Sequence, residues 1–271
     1  MKKIFVKFCA ALMLVSSLAM LASCGKGKKA DNSLEEIKSR GILIMGLDDS
    51  FPPLGFRDEN NKIVGYDVDL ATEVANRLGV NLKLQPIDWA AKEQELNTKK
   101  IDCIWSGFTM TEERKAAMAF TKPYLDNAQV AVVQGESGIN SLADLAGKTV
   151  GVQAGSSAWD AVNADEKFAG SLKETVEFEE NITALNDLGI GNLDAVVMDQ
   201  VVAGYMIKNS SKSYKILPDG LAGEEYGVAF RKDDLKLRNE VQKILEQMQA
   251  DGTVKGISEK WFGEDLSVIG R

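Results

Sequence analysis

Histidine is absent from this 271-residue chain. Its absence excludes His-based catalytic triads, a histidine general base, and zinc or haem held through imidazole. Cysteine is scarce, with only Cys9, Cys24 and Cys103. Cys9 lies inside an apolar leader and Cys24 at its end. Once the leader is removed and Cys24 is used, Cys103 has no partner for an intramolecular disulfide. It sits in an apolar run and reads as a small core residue. Basic charge is also short: 32 Lys and Arg face 40 Asp and Glu, for a net charge of −8. Lys2, Lys3 and Lys7 belong to the leader, so the body is more acidic still. Nucleic acid is therefore not expected as a partner, because it needs a basic face. The Gly-Lys-Ser/Thr ending of a phosphate-binding loop is missing from Gly151 to Ser157. No second apolar span and no signalling domain follow the leader, which argues against a membrane-spanning sensor.

What is present begins with that leader. Met1 to Lys7 is basic, and Phe8 to Ala22 is apolar apart from Ser16 and Ser17. The run is short for a membrane span and suits a signal peptide, residues 1–23. It ends Leu21-Ala22-Ser23-Cys24-Gly25, which resembles the lipobox of bacterial lipoproteins. That resemblance implies cleavage before Cys24 and diacylglycerol, with further acylation such as palmitate, on the cysteine. More than one acyl chain gives stable anchoring. Ordinary secretion with an incidental cysteine is the alternative. Residues 24–32 then form a polar anchor and tether.

From Ser33 the pattern alternates helix and strand. Ser33-x-x-Glu36 predicts a capping box before a helix that stops at Gly41. Ile42–Leu47 reads as a strand, and Asp48 to Pro53 as a loop. Asp67–Leu78 is the clearest helix: Leu70, Val74 and Leu78 share a face, and Asp67 and Asp69 suit its N-terminal dipole. Further strands are expected at 82–87, 101–105, 128–133, 149–152, 175–178, 195–198, 214–217 and 225–230. Helices are expected at 89–97, 112–120, 142–145, from 155 to about 168, and at 182–188, 201–208, 235–250 and 254–261. Strands alternating with helices predict an α/β chain with parallel sheets. Lys100-Ile101-Asp102-Cys103-Ile104-Trp105 is echoed by Asn192-Leu193-Asp194-Ala195-Val196-Val197, so two similar α/β lobes would aim strand ends at one crevice.

Ser106 to Arg114, Ser-Gly-Phe-Thr-Met-Thr-Glu-Glu-Arg, places hydroxyls and one arginine where a strand gives way to a helix. Backbone N–H groups at a helix start attract an anion, and an arginine grips a carboxylate with two parallel hydrogen bonds. The same residues also make an ordinary N-cap at Thr111 with a solvated arginine in the first turn.

Gly65-Tyr66-Asp67-Val68-Asp69-Leu70 with Val74-Ala75 and Leu78 resembles the signature of extracytoplasmic solute-binding proteins of polar amino-acid ABC importers. The resemblance extends over nearly all of residues 33–265. It takes in Ser106–Arg114, Phe120-Thr121-Lys122-Pro123-Tyr124, Gly147–Val152 with Gly155-Ser156, and the tail from Ala250-Asp251-Gly252-Thr253 to Trp261-Phe262. It implies a two-lobe periplasmic-binding-protein type II fold with a hinge of two strands near 127–133 and 222–228. Lobe one would be residues 33–128 plus 222–271, and lobe two 129–221. It also implies a monomer, not an enzyme and without a cofactor, that captures a polar or cationic amino acid outside the membrane. The solute then passes to a permease and, through it, an ATPase.

Carried over position by position, Arg114 matches the arginine that holds the α-carboxylate, and Thr109 the hydroxyl beside it. Ser157 and the backbone at Ser156 match carboxylate contacts from the other lobe. Asp199 matches the carboxylate that takes the α-ammonium, and Ser106 and Gly107 the backbone near it. Gly107 stands where many relatives have serine. Asp48, Phe51 and Trp89 match positions around the ligand side chain. A buried zwitterion needs both charges paired. Asp48 in that pocket disfavours an acidic ligand; with an aromatic wall it suits a cationic side chain or a polar neutral one, and cystine remains open. Structural alternatives stay beside these roles: Asp48 and Asp199 as helix caps, Phe51 and Trp89 as core, Asp67 and Asp69 as helix-start residues. Dehydratases and murein lyases on the same lobe pair are the enzymatic alternative. They need a separate acid/base pair, for which only carboxylates such as Asp48, Asp49 and Asp199 are at hand.

Overall fold

A computed structural model describes residues 30–271. The signal peptide, Cys24 and most of the tether lie outside the described residues. Among those described, no helix is long and apolar enough to cross a membrane.

In chain order come α1 (Ser33–Arg40), β1 (Ile42–Leu47), β2 (Ser50–Phe51), β3 (Gly55–Arg57), β4 (Ile63–Val64), α2 (Tyr66–Leu78) and β5 (Asn81–Pro86). A 3-10 turn at Trp89–Ala91 leads into α3 (Lys92–Asn97), β6 (Cys103–Ile104), α4 (Glu112–Ala117), β7 (Met118–Phe120) and the long β8 (Leu125–Gln134). A second 3-10 turn, Leu142–Leu145, precedes β9 (Thr149–Gln153), α5 (Ser157–Ala164), α6 (Glu166–Ser171), β10 (Glu174–Phe178), α7 (Asn181–Ile190), β11 (Ala195–Asp199) and α8 (Gln200–Lys208). The long β12 (Tyr214–Tyr226), β13 (Ala229–Arg231), α9 (Leu235–Ala250) and α10 (Thr253–Phe262) complete the order.

Two five-stranded sheets organise these elements, ordered β5-β1-β6-β13-β7 and β10-β9-β11-β8-β12. In the first, β1 lies parallel to β5 and β6; in the second, β9 lies parallel to β10 and β11. Parallel neighbours need a crossover on the sheet face, and the helices between them supply it. The apolar stripe of α2 is buried at Leu70, Val74 and Leu78, and the left-handed Gly79 ends the helix. The chain passes from the first sheet to the second along β8 and returns along β12. These two strands pair antiparallel from Gln134 with Tyr214 to Leu125 with Tyr226, with irregular register around Gly220.

Several boundaries depart from expectation. The helix after Thr111 ends at Ala117, because buried Met118–Phe120 pair with β13 instead. The long helix from Ser157 breaks at Asp165, whose carboxylate caps α6 by accepting from the Lys167 and Phe168 N–H groups. The extended run 225–230 is two strands interrupted at Gly227 and Val228. The predicted strand at 101–105 pairs only over Cys103–Ile104. The capping box at Ser33 does not form: Asn32 takes the cap position, and the Ser33 hydroxyl accepts from the Leu237 N–H at 3.2 Å.

Candidate ligand-binding site

The parallel strands β1, β6, β9 and β11 end at one crevice, where open α/β sheets bind ligands. The crevice narrows to a small cavity, with about 280 Å³ of atom-free space that runs out into solvent. Its walls are Asp48, Phe51, Trp89, Ser106, Gly107, Thr109, Arg114, Ser156, Ser157 and Asp199, together with Gln153. All ten residues expected from the sequence thus meet around one space. Larger depressions exist, such as one of about 1000 Å³ beside Leu142 and Phe168. That one is open to solvent and gathers no buried charges.

Arg114 closes one end. Thr111 caps α4, its hydroxyl accepting from the Arg114 N–H at 3.2 Å, so the cap and the arginine function coexist. The guanidinium is buried, not solvated. It donates from Nη1 to the Thr109 carbonyl at 3.1 Å and from Nη2 to the Gly155 carbonyl at 3.3 Å. It also lies 4.5 Å from the centre of the Phe108 ring. Burial pushes its pKa down, against the attraction of Asp160, Glu93, Glu224 and Asp199. Ser157 donates its hydroxyl to Thr109 Oγ1 at 3.0 Å. The Ser156 hydroxyl caps α5 and donates to the Gln153 carbonyl, which also accepts from the Ser156 N–H at 3.3 Å.

Asp199 stands across the cavity at the end of β11. It occupies the cap position of α8 but makes no side-chain cap bond. Its Oδ1 instead accepts from Asn127 Nδ2 at 2.7 Å, Gln129 Nε2 at 2.9 Å and the Tyr226 hydroxyl at 2.6 Å. Burial, and then the charge of Glu224, push this carboxyl up to about 7.

Asp48 forms the third corner. Its Oδ1 accepts from the Ser50 N–H and hydroxyl, both at 2.8 Å, and its Oδ2 from Gln153 Nε2 at 2.7 Å. Burial raises its pKa. The Asp48 N–H donates to Ser106 Oγ at 3.2 Å. Gly107 has φ +53°, and a Cβ there would lie 2.8 Å from both Leu54 Cδ1 and Phe51 Cε1. Serine does not fit in this setting, so only backbone can act. The Gly107 N–H is already given to Asp67 Oδ2 at 2.8 Å, which leaves its carbonyl for a cation. Phe51 and Trp89 are both core and cavity wall, Trp89 meeting Phe108 edge-on at 5.6 Å. Asp67 and Asp69 turn to different partners: Asp67 to Gly107 and Tyr124, Asp69 to Lys260 and Trp261.

Sequence reasoning missed Gln153, Lys92, Asn127, Gln129, Glu224 and Tyr226. Lys92 is buried and donates to the Gly155 carbonyl at 2.8 Å across the crevice. The other misses left a faint signal. Asn127 and Gln129 are two apart on β8, as are Glu224 and Tyr226 on β12, so each pair faces one way from its strand. Their convergence depends on the register that sets Glu224 opposite Asn127.

With this geometry in place the comparisons are specific. Residues 43–264 match the family described as bacterial extracellular solute-binding proteins, family 3. The chain belongs to that family and is a solute-binding protein. It is similar to the L-cystine-binding protein TcyJ of Escherichia coli K12, at 32% identity over 95% of this chain and 96% of that protein. It is 33% identical to the arginine-binding extracellular protein ArtP of Bacillus subtilis 168, over 93% of this chain and 96% of that one. Among solved structures it resembles an ABC uptake transporter substrate binding protein from Streptococcus pneumoniae with bound histidine. The TM-score is 0.85 and the identity 35%, over 88% of this chain and 99% of that one. The two-lobe fold of the family is the fold of this chain.

Proposed function

We propose that this protein captures a free amino acid between its lobes and delivers it to an ABC permease, without catalysis. The observation that carries this is that buried Arg114 and Asp199 line one cavity. Arg114 follows the first sheet's β6 and Asp199 ends β11 of the second. An α-carboxylate on Arg114, beside Thr109, Ser156 and Ser157, and an α-ammonium on Asp199 tie the two together. Binding then becomes a reason to close. Lobe one is residues 33–128 and 222–271, lobe two 129–221. Contacts across the crevice, Gln153 to Asp48 and Lys92 to Gly155 among them, support a closed arrangement.

The ligand side chain extends between Phe51 and Trp89 toward Asp48. Burial, and then the nearby charges of Asp48, Glu179 and Asp49, raise the pKa of Glu180. An acidic end supports a cationic side chain, or the second ammonium of cystine. Cys24, as the lipidated N-terminus, holds the protein at the outer face of the membrane. A thermal-shift screen of the refolded, ligand-free protein against the common amino acids and cystine tests the function. A ligand of the folded form raises the melting point by mass action. The expected result is a large shift with basic amino acids or cystine; no shift with any amino acid refutes the proposal. Radiolabelled palmitate incorporation in wild type, lost in Cys24→Ala, tests the anchor.

A further inference from the structure

Glu224 is the acidic group that the zwitterion leaves unused. It stands on β12 opposite Asn127 of β8. Its Oε2 accepts from Thr109 Oγ1 at 3.0 Å, Asn127 Nδ2 at 2.8 Å and Gln129 Nε2 at 2.8 Å. The same two amide nitrogens donate to Asp199 Oδ1. An amide nitrogen carries two hydrogens, so Asn127 gives one to each carboxylate, while Gln129 Nε2 shares its two among both carboxylates and Ser157 Oγ at 3.3 Å. The two acids are thereby clamped side by side. Among the described residues, no lysine or arginine forms an ion pair with either one.

The charged and titratable groups facing the pair are few. Tyr226 on β12 donates to Asp199. Arg114 on α4 feels both carboxylates, but its hydrogen bonds go to Thr109 and Gly155. Lys115 on α4, Asp160 on α5 and Glu225 line the outer crevice that Glu224 also borders. One ligand ammonium neutralises one of the two clamped carboxylates and leaves the other as surplus. Like charges held this close favour protonation of one member.

We propose that Glu224 is the second carboxylate of the ammonium subsite, and that Asp199, held beside it, retains a proton until a ligand ammonium replaces it. This rests on the amino-acid reading of the cavity. On binding, the carboxyl O–H proton leaves to water, and the ammonium N–H groups donate to the freed carboxylate. Binding therefore releases a proton, and affinity falls as pH falls.

Titration calorimetry of the ligand-free protein tests this, with L-arginine and L-glutamine as probes in buffers of different ionisation enthalpy. With a group near 7, the wild-type Kd weakens about tenfold from pH 8 to pH 6, since binding competes with protonation. Proton uptake by the buffer appears in the measured heat. Glu224→Gln keeps the acceptor oxygen but removes the charge. It should cut the pH effect to about threefold or less and weaken binding at pH 8. A merely structural role would lower the melting point and leave the pH slope as it was. A wild-type Kd that is flat between pH 6 and 8, or a Glu224→Gln slope equal to wild type, overturns this proposal alone. No binding of either probe, nor of any amino acid in the thermal screen, overturns the amino-acid reading and this proposal with it.

Discussion

Replacing Arg114 by methionine should separate binding from folding. Arg114 is 6% exposed, and among the described residues its guanidinium donates two hydrogen bonds, to the Thr109 and Gly155 carbonyls. The Gly155 carbonyl keeps a second donor in Lys92. Methionine retains an apolar stem over Phe108. Among the described residues Arg114 forms no ion pair, and burial already disfavours its charge, so methionine breaks no salt bridge. The ligand-free melting point should therefore move by only a few degrees. Binding is another matter. A ligand carboxylate entering without its cation is a buried charge without a partner, at a cost of about 3–5 kcal/mol. At about 1.4 kcal/mol per factor of ten, the Kd should rise by two to three and a half powers of ten. Arg114→Lys should fall between, because a point charge replaces the planar fork. Calorimetry with the amino acid that gives the largest thermal shift is the assay, with the melting point as the folding control. A Kd within tenfold of wild type in folded Arg114→Met would refute the carboxylate role.

Three other perturbations probe the surroundings. Gly107→Ser forces a side chain into left-handed backbone and against Leu54 and Phe51. Strain and overpacking should cost about 2–4 kcal/mol, read as a lower urea midpoint; an unchanged midpoint would contradict the crowding seen here. Asp67 is fully buried, and burial raises its carboxyl to about 7 from an ordinary 3.8. Its contribution to stability is fully present below about pH 4 and is lost as pH rises through about 7. Asp67→Asn should therefore flatten the decline of stability between about pH 4 and 7, and denaturation curves with identical pH dependence in both proteins would sink the idea. Gln153→Ala frees Asp48 Oδ2 from its amide donor. The ratio of affinities for L-arginine and L-glutamine should shift toward arginine, and an unchanged ratio would remove Asp48 from the side-chain pocket.

Much of this was legible in the chain because it is local. The spacing of Leu70, Val74 and Leu78, the stop at Gly79, and the threonine cap before Arg114 act within a few residues. The Ser106–Arg114 pattern places hydroxyls and an arginine at a strand-to-helix junction whatever the rest of the fold does. Other boundaries failed where a distant partner won. Met118–Phe120 continue a helical pattern, yet burying them beside β13 satisfies their backbone better. Ser33 matches a capping box, but its hydroxyl serves Leu237, more than two hundred residues away.

The sequence by itself determined the α/β class and the residue types at the crevice, since composition and short-range periodicity suffice for these. Only the tertiary structure decided which polar groups share a space. Asn127, Gln129, Glu224 and Tyr226 look like ordinary strand residues until two antiparallel strands are set in register. That register is fixed by burial of whole strand faces, a long-range requirement that no local window contains. The pairing of Glu224 with Asp199 is a consequence of it.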